Sequence, residues 1–99
     1  MRKINNQRIV RGKILQFLHI SYPYPAMEET LLYSFSEVGM LPDEVKRSLQ
    51  YLVDKGYVEK EEKNLVEVRN QKVALYKLTP TGVELMDGLI EDKAVLLGE

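Results

Sequence analysis

The sequence predicts an α+β fold in which three helices precede a hairpin of two strands and a closing helix. Apolar residues recur at helical spacing in three segments before residue 56, and β-branched residues mixed with charge follow Tyr57. Prolines and glycines stand between these segments. A length of 99 residues with 44% hydrophobic content suits one core. We therefore expect a single domain over 1–99, with its core in 6–90 and with 91–99 extending the last helix.

The first two helices are predicted from two apolar stripes, which a proline-containing segment separates. Residues 6–19 place four apolar side chains on one face: Val10, Ile14, Phe17 and Leu18. Pro23 and Pro25 end this helix because proline lacks a donor and favours extended geometry in the residue before it. The second helix is predicted to open at Pro25 and to end near Gly39. Its buried stripe would be Met27, Leu31, Leu32 and Phe35.

The third helix has the clearest boundaries and is predicted over residues 42–55. Pro42 suits the first helical position, and Asp43 and Glu44 favour the positive end of the helix dipole. Gly56 is suited to ending the helix. The core stripe would be Val45, Leu49, Leu52 and Val53.

Two strands and a capped helix are predicted after Gly56. The strands would cover 57–68 and 73–78, and the polar residues 69–72 would form the loop tip, although Lys63-Asn64 is a second candidate turn. Thr79 is a helix cap and Pro80 the first residue of the last helix.

Two segments resemble a known family. Residues 49–58, LQYLVDKGYV, end the third helix and enter the hairpin, and residues 76–85, YKLTPTGVEL, leave it. Both resemble segments common in winged-helix transcription regulators, including the MarR, PadR and ArsR groups, and in small phage-encoded winged-helix proteins. The resemblance spans about 6–90 and implies a winged helix-turn-helix: a three-helix bundle, a β-hairpin wing and a C-terminal helix.

The resemblance implies that the helix over 42–55 enters the major groove of DNA and that a wing near 67–72 touches the backbone or the minor groove. Arg47, Gln50 and Tyr51 are predicted to face outward and suit DNA contact, and Lys46 lies at the flank of this face. Arginine and glutamine can read base edges, and lysine suits a phosphate. Asp43 and Asp54 share this face and oppose the approach of phosphates.

Two further basic segments are candidates for DNA contact. The wing tip carries Arg69, Asn70 and Lys72, but charges on an exposed hairpin also keep it soluble. Residues 1–19 contain five cations and no acid, and among them Arg8 and Arg11 could hold phosphates. Alternatively, this basic helix balances the acidic residues near the end of the chain.

Two functions are therefore predicted. The first is a transcription regulator that binds double-stranded DNA as a homodimer. Its dimer contacts would be the apolar residues of the last helix: Val83, Met86, Leu89, Ile90 and Leu97. The alternative is a non-catalytic winged-helix module for protein interaction, such as a phage or accessory factor. The acids Asp43 and Asp54 and the net charge of −1 motivate it.

Other classes of function are disfavoured by what the sequence lacks. It has no cysteine and one histidine, His19, so neither a metal site nor a nucleophile with its base is indicated. We expect no enzymatic activity and no cofactor, and no residue points to an effector. The apolar runs are too short for a membrane span, and no apolar signal core follows the basic start. The expected location is the cytoplasm.

Overall fold

The computed structural model describes residues 2–65 and 71–97, with side chains from residue 7 onward except that of Leu65. The elements are α1 (Arg2–Ser21), β1 (Ala26–Met27), α2 (Glu28–Ser36), α3 (Pro42–Asp54), β2 (Val58–Leu65), β3 (Gln71–Leu78) and α4 (Pro80–Met86). The strands form an antiparallel sheet in the order β1-β3-β2. The predicted α+β class is confirmed, as are its helical bundle, its hairpin and the helix after it.

The core lies between α1, α2 and α3, and buried side chains from α4, β2 and β3 complete it. The side chains that are almost wholly buried come from four helices and one strand: Ile14, Leu15, Leu18, Leu31, Val45, Leu49, Leu52, Leu78 and Leu85. These residues repeat at helical spacing in the helices, and in β3 burial alternates, so that Tyr76 and Leu78 point inward. Full burial of one such side chain contributes about 1.5–3 kcal/mol.

The start of the second helix differs from the prediction. Pro25 does not open it, since Ala26 and Met27 form β1 and pair with Tyr76 and Leu75 of β3. The helix begins at Glu28 and ends at Ser36. A partner distant in sequence satisfies the extended backbone after Pro25, which local signals could not indicate. The first helix also starts earlier than predicted, at Arg2, because no helix-breaking residue precedes position 6.

The hairpin is longer on its second strand than predicted. The sequence predicts Gln71 and Lys72 in the loop tip, but they pair with Leu65 and Asn64 in the ladder. The alternative turn at Lys63-Asn64 is wrong because both residues lie inside β2. Residues 66–70, which include the predicted wing residues Arg69 and Asn70, lie outside the described part of the chain.

The last helix is shorter than predicted and does not extend through 91–99. It ends at Met86, and Asp87 caps it with a backbone N–H directed at the carbonyls of Leu85 and Val83. Gly88 then adopts a φ of +81°, which reverses the chain as glycine commonly does after a helix. The following residues form turns, and Val95 is buried against the core. The segment after Gly88 therefore folds back instead of projecting as a helix.

Candidate nucleic-acid interface

The outward face of α3 carries most of the polar residues that the sequence predicts for DNA contact. Lys46, Arg47 and Gln50 are exposed, together with the acids Asp43 and Asp54. The Nε2 atom of Gln50 donates a hydrogen bond to Oδ1 of Asp54 at 2.9 Å. Two cations and one amide thus lie on the same surface as two carboxylates, one of which orients the amide.

The opposite face of α3 holds the helix firmly in the core. Val45, Leu49 and Leu52 are 0% exposed, and the buried Ser48 lies beside them. At the start of the helix, the Glu44 carboxylate accepts a hydrogen bond from the backbone N–H of Leu41 at 3.3 Å. Because one side is fully buried and the start is capped, the outward residues are presented from a rigid element.

The hairpin projects beyond the core as a charged ribbon. Side chains on both faces of β2 are exposed from Glu59 to Asn64, and Gln71 and Lys72 of β3 are exposed as well. Lys72 lies opposite Asn64 in the register. Along β2 the acids Glu59, Glu61 and Glu62 are mixed with Lys60 and Lys63, so the described part of the ribbon is not strongly positive.

Tyr51 does not share the outward face, although the sequence predicted that it would. It is half-buried, and its hydroxyl donates to Oδ2 of Asp92 at 3.4 Å. The guanidinium of Arg11 lies over the Tyr51 ring, 3.9 Å from the centroid. The ring therefore fills the junction between α1, α3 and the C-terminal segment.

The predicted phosphate contacts of α1 are placed toward the inside of the domain. Arg11 donates from Nη1 to the carbonyl of Ala94 at 3.0 Å in addition to stacking on Tyr51. Arg8 is also half-buried, and the Nε atoms of both arginines are buried with no hydrogen-bond partner among the described residues. Of the α1 cations whose side chains are described, Lys13 is exposed.

Asp92 is the polar residue of this region that sequence reasoning missed. Its Oδ2 accepts from the Tyr57 hydroxyl at 2.8 Å and lies 3.9 Å from Nζ of Lys55. Its Oδ1 accepts from the backbone N–H of Ala94 at 2.8 Å. No sequence pattern singles out this aspartate, since it stands in an acidic stretch beside the equally acidic Glu91.

These contacts shift three pKa values. Burial, followed by the hydrogen bond to Asp92, raises the pKa of Tyr57 to about 12. Burial alone would raise the pKa of Asp92, but its hydrogen bonds from Ala94 and Tyr57 and the charge of Lys55 lower it below the ordinary value. On the sheet, burial and the nearby Glu28, which accepts from the Tyr76 hydroxyl at 3.2 Å, raise the pKa of Tyr76 to about 12.

The residues predicted for dimerisation divide into two groups. Val83, Met86, Ile90 and Leu97 are half-buried and pack on the core of their own chain. Leu89 is 72% exposed. Most of the apolar surface that suggested a partner is thus covered within the chain.

A cavity of about 190 Å³ separates α1 from α3 beside the outward face. Its lining mixes polar and apolar side chains: Gln7, Val10, Arg11, Glu44, Arg47 and Ser48. Within the described residues, no cluster of three or more histidine, cysteine, aspartate or glutamate side chains could hold a metal ion. No helix in that part of the chain is long and apolar enough to cross a membrane.

Comparison with known proteins identifies the fold. No protein-family profile matches the chain, and no curated protein matches it. The structure is similar to the crystal structure of Bacillus subtilis PadR in complex with operator DNA, with a TM-score of 0.66 and 20% sequence identity. The match covers 93% of this chain and 52% of the PadR chain, so this chain spans about half the length of that protein.

The architecture and this likeness define the class. The chain has the winged helix-turn-helix fold that the sequence resemblance implied, with a bundle of α1, α2 and α3 followed by the wing of β2 and β3.

Proposed function

We propose that this chain is the DNA-binding winged-helix domain of a transcription regulator and that α3 is its recognition helix. The observation that carries the proposal is the outward face of α3, where Lys46, Arg47 and Gln50 are exposed on a helix whose other face is buried. The similar PadR structure contains operator DNA, which supports the same use of the fold here. We assign no catalytic role to the domain.

Each exposed side chain of α3 suits a particular contact. Arg47 can donate two hydrogen bonds to guanine, and Lys46 suits a phosphate. Gln50 suits adenine, and its bond to Asp54 orients the amide before DNA arrives. A carboxylate such as Asp54 can accept from the amino group of cytosine, while it repels phosphates. We infer that this face gains selectivity for base edges and has weak non-specific affinity.

The wing and α1 contribute differently in this proposal. Lys72 is exposed near the end of the ribbon and suits a backbone contact, as do the predicted residues Arg69 and Asn70. Arg8 and Arg11 stay candidates for phosphate contact. The hydrogen bond of Arg11 to Ala94 and its stacking on Tyr51 favour a role inside the domain.

Replacing Lys46 and Arg47 together with alanine is expected to weaken binding to a labelled random-sequence duplex. The loss should be about tenfold at low salt, and the salt dependence should fall by about one unit for each phosphate contact removed. Fluorescence anisotropy titrations at several salt concentrations measure both quantities. Circular dichroism verifies that the variant stays folded, as the exposure of both side chains leads us to expect.

The matched control removes two exposed cations that lie outside α3 and the wing, by Lys13→Ala with Lys93→Ala. It should retain nearly the affinity of the unaltered protein if α3 is the contact face. Equal losses in both double variants would show that only net charge matters and would overturn the assignment to α3. Absence of binding by the unaltered protein at tens of micromolar, where non-specific affinity of about 10⁻⁴–10⁻⁶ M becomes visible, would favour the protein-interaction module.

We further propose a homodimer in which Leu89 is the exposed apolar contact of the C-terminal region. Size-exclusion chromatography with light scattering at high concentration should give the mass of two chains. Leu89→Glu is expected to convert this species to a monomer because it buries a charge in the contact. Ile20→Glu is the matched control, since Ile20 is 86% exposed on α1. A monomeric unaltered protein would exclude the dimer.

A further inference from the structure

The residues after the last helix form a strap across the domain. We define the C-terminal strap as residues 92–97. The backbone N–H of Leu96 donates to the Arg8 carbonyl of α1 at 3.1 Å, and the Ala94 carbonyl accepts from Arg11. Val95 between them is 7% exposed. The strap is therefore joined to α1 by backbone and side-chain hydrogen bonds and by an apolar anchor.

The surface of α1 is shaped to receive the strap. Gly12 is buried, and a Cβ atom at this position would collide with the Leu96 carbonyl oxygen. Glycine inside a helix is less favourable than alanine by about 1 kcal/mol. The missing side chain at residue 12 is what allows the strap backbone to lie directly on the helix.

The other end of the strap holds the segment that joins α3 to the wing. The Oδ2 atom of Asp92 meets Tyr51 and Lys55 at the end of α3 and Tyr57 at the start of the hairpin. All three partners fall within residues 51–57. Since Arg11 stacks on Tyr51, the same cluster continues to α1. One carboxylate thus links the recognition helix, the base of the wing and the first helix.

We propose that Asp92 is a positioning residue, which fixes α3 and the base of the wing relative to α1 and thereby sets DNA affinity without contacting DNA. The inference rests on the proposed function. The strap then has a second role besides covering the core. If the strap were loosened, α3 and the wing would be free to shift relative to each other. Two rigid elements that must engage one duplex together bind more weakly when their relative position fluctuates.

The direction in which DNA affinity changes in Asp92→Ala distinguishes a positioning role from a purely electrostatic one. Asp92→Ala removes a negative charge, so long-range electrostatics alone would strengthen DNA binding. Positioning has the opposite effect, and we expect affinity for the random-sequence duplex to fall by about threefold to tenfold. Glu91→Ala is the control, since this exposed neighbour carries the same charge. Its affinity should be equal to or slightly above that of the unaltered protein.

A second variant disturbs the strap and leaves Asp92 in place. Gly12→Ala should displace the strap at Leu96 and lower DNA affinity in the same direction. Amide hydrogen exchange without DNA should show faster exchange in residues 48–58 in both strap variants. In Asp92→Ala the pKa of Tyr57, followed by NMR, should move from about 12 toward 10 because an acceptor and a negative charge are lost.

The outcomes distinguish the two proposals. Amide exchange could be faster in residues 48–58 of the strap variants while neither the unaltered protein nor any variant binds DNA. That result would refute the proposed function but would support the structural coupling of Asp92 to α3. Exchange that changes only in residues 92–97, or DNA affinity that rises in Asp92→Ala as it does in Glu91→Ala, would overturn the positioning role.

Discussion

Leu49→Ala is expected to lower the free energy of unfolding by about 2–5 kcal/mol, as large-to-small substitutions at buried leucines do. Leu49 lies at the centre of the inner face of α3 and is 0% exposed. Its truncation removes apolar contacts and leaves a cavity that the surrounding core side chains fill only in part. For a domain whose total stability is about 5–15 kcal/mol, this is a large fraction.

Urea denaturation followed by circular dichroism measures the change as a lower midpoint at constant slope. Leu41→Ala is the control because Leu41 is 63% exposed at the start of the same helix. We expect the control to differ from the unaltered protein by no more than about 0.5 kcal/mol. Equal effects of the two substitutions would contradict the burial of α3 described above.

Gly82→Ala is expected to destabilise the domain by about 1–3 kcal/mol, although alanine is the better helix former by about 1 kcal/mol. A Cβ atom at Gly82 would collide with the Tyr57 carbonyl oxygen and would come within 3.0 Å of Leu78 Cγ. The Tyr57 carbonyl accepts a hydrogen bond from the Thr79 N–H at 3.0 Å, so it has little freedom to move. The close approach of α4 to the base of the wing thus requires glycine.

Thr81→Ala tests the same helix at an exposed position next to Gly82. Thermal and urea unfolding of both variants should show a clear loss for Gly82→Ala and little change for the control. An increase in stability for Gly82→Ala would mean that helix propensity dominates and that α4 does not pack closely on Tyr57.

Several elements could be predicted from sequence because their signals are local. Pro42 and Gly56 correctly predict where α3 begins and ends. Gly56 has a φ of +83°, a conformation that glycine adopts readily at the end of a helix. The cap on α4 is also confirmed, since Thr79 Oγ1 accepts from the Gly82 N–H at 3.0 Å. The same hydroxyl donates to the Gly56 carbonyl at 2.6 Å, a contact between distant residues that local reasoning did not anticipate.

The elements that were missed depend on partners far along the chain. A strand of two residues, Ala26 and Met27, has no period to detect, and its existence follows from pairing with β3. The length of the last helix was overestimated because the apolar residues after Gly88 continue a helical spacing. In the structure Val95 reaches the core through turns instead.

The candidate site shows the same division. The apolar stripe of α3 predicts from sequence alone that Arg47 and Gln50 face outward with Lys46 at the flank, because burial of one helix face leaves the opposite face to solvent. All three side chains are exposed in the structure. The stripe could not place Tyr51 and Arg11, whose side chains lie at the edges of their helices and turn toward whichever segment packs there. That segment is the C-terminal strap, about 40 residues further along the chain from Tyr51.

The sequence by itself determined the winged-helix order of elements, the bounds of α3 and the cap of α4, since periodicity, proline and glycine act within a few residues. The tertiary structure alone decided the third strand, the folding back of residues after Gly88 and the linking role of Asp92. The physical reason is that these features depend on hydrogen bonds and packing contacts between residues far apart in sequence. Such contacts form only when the helices and strands have packed against one another.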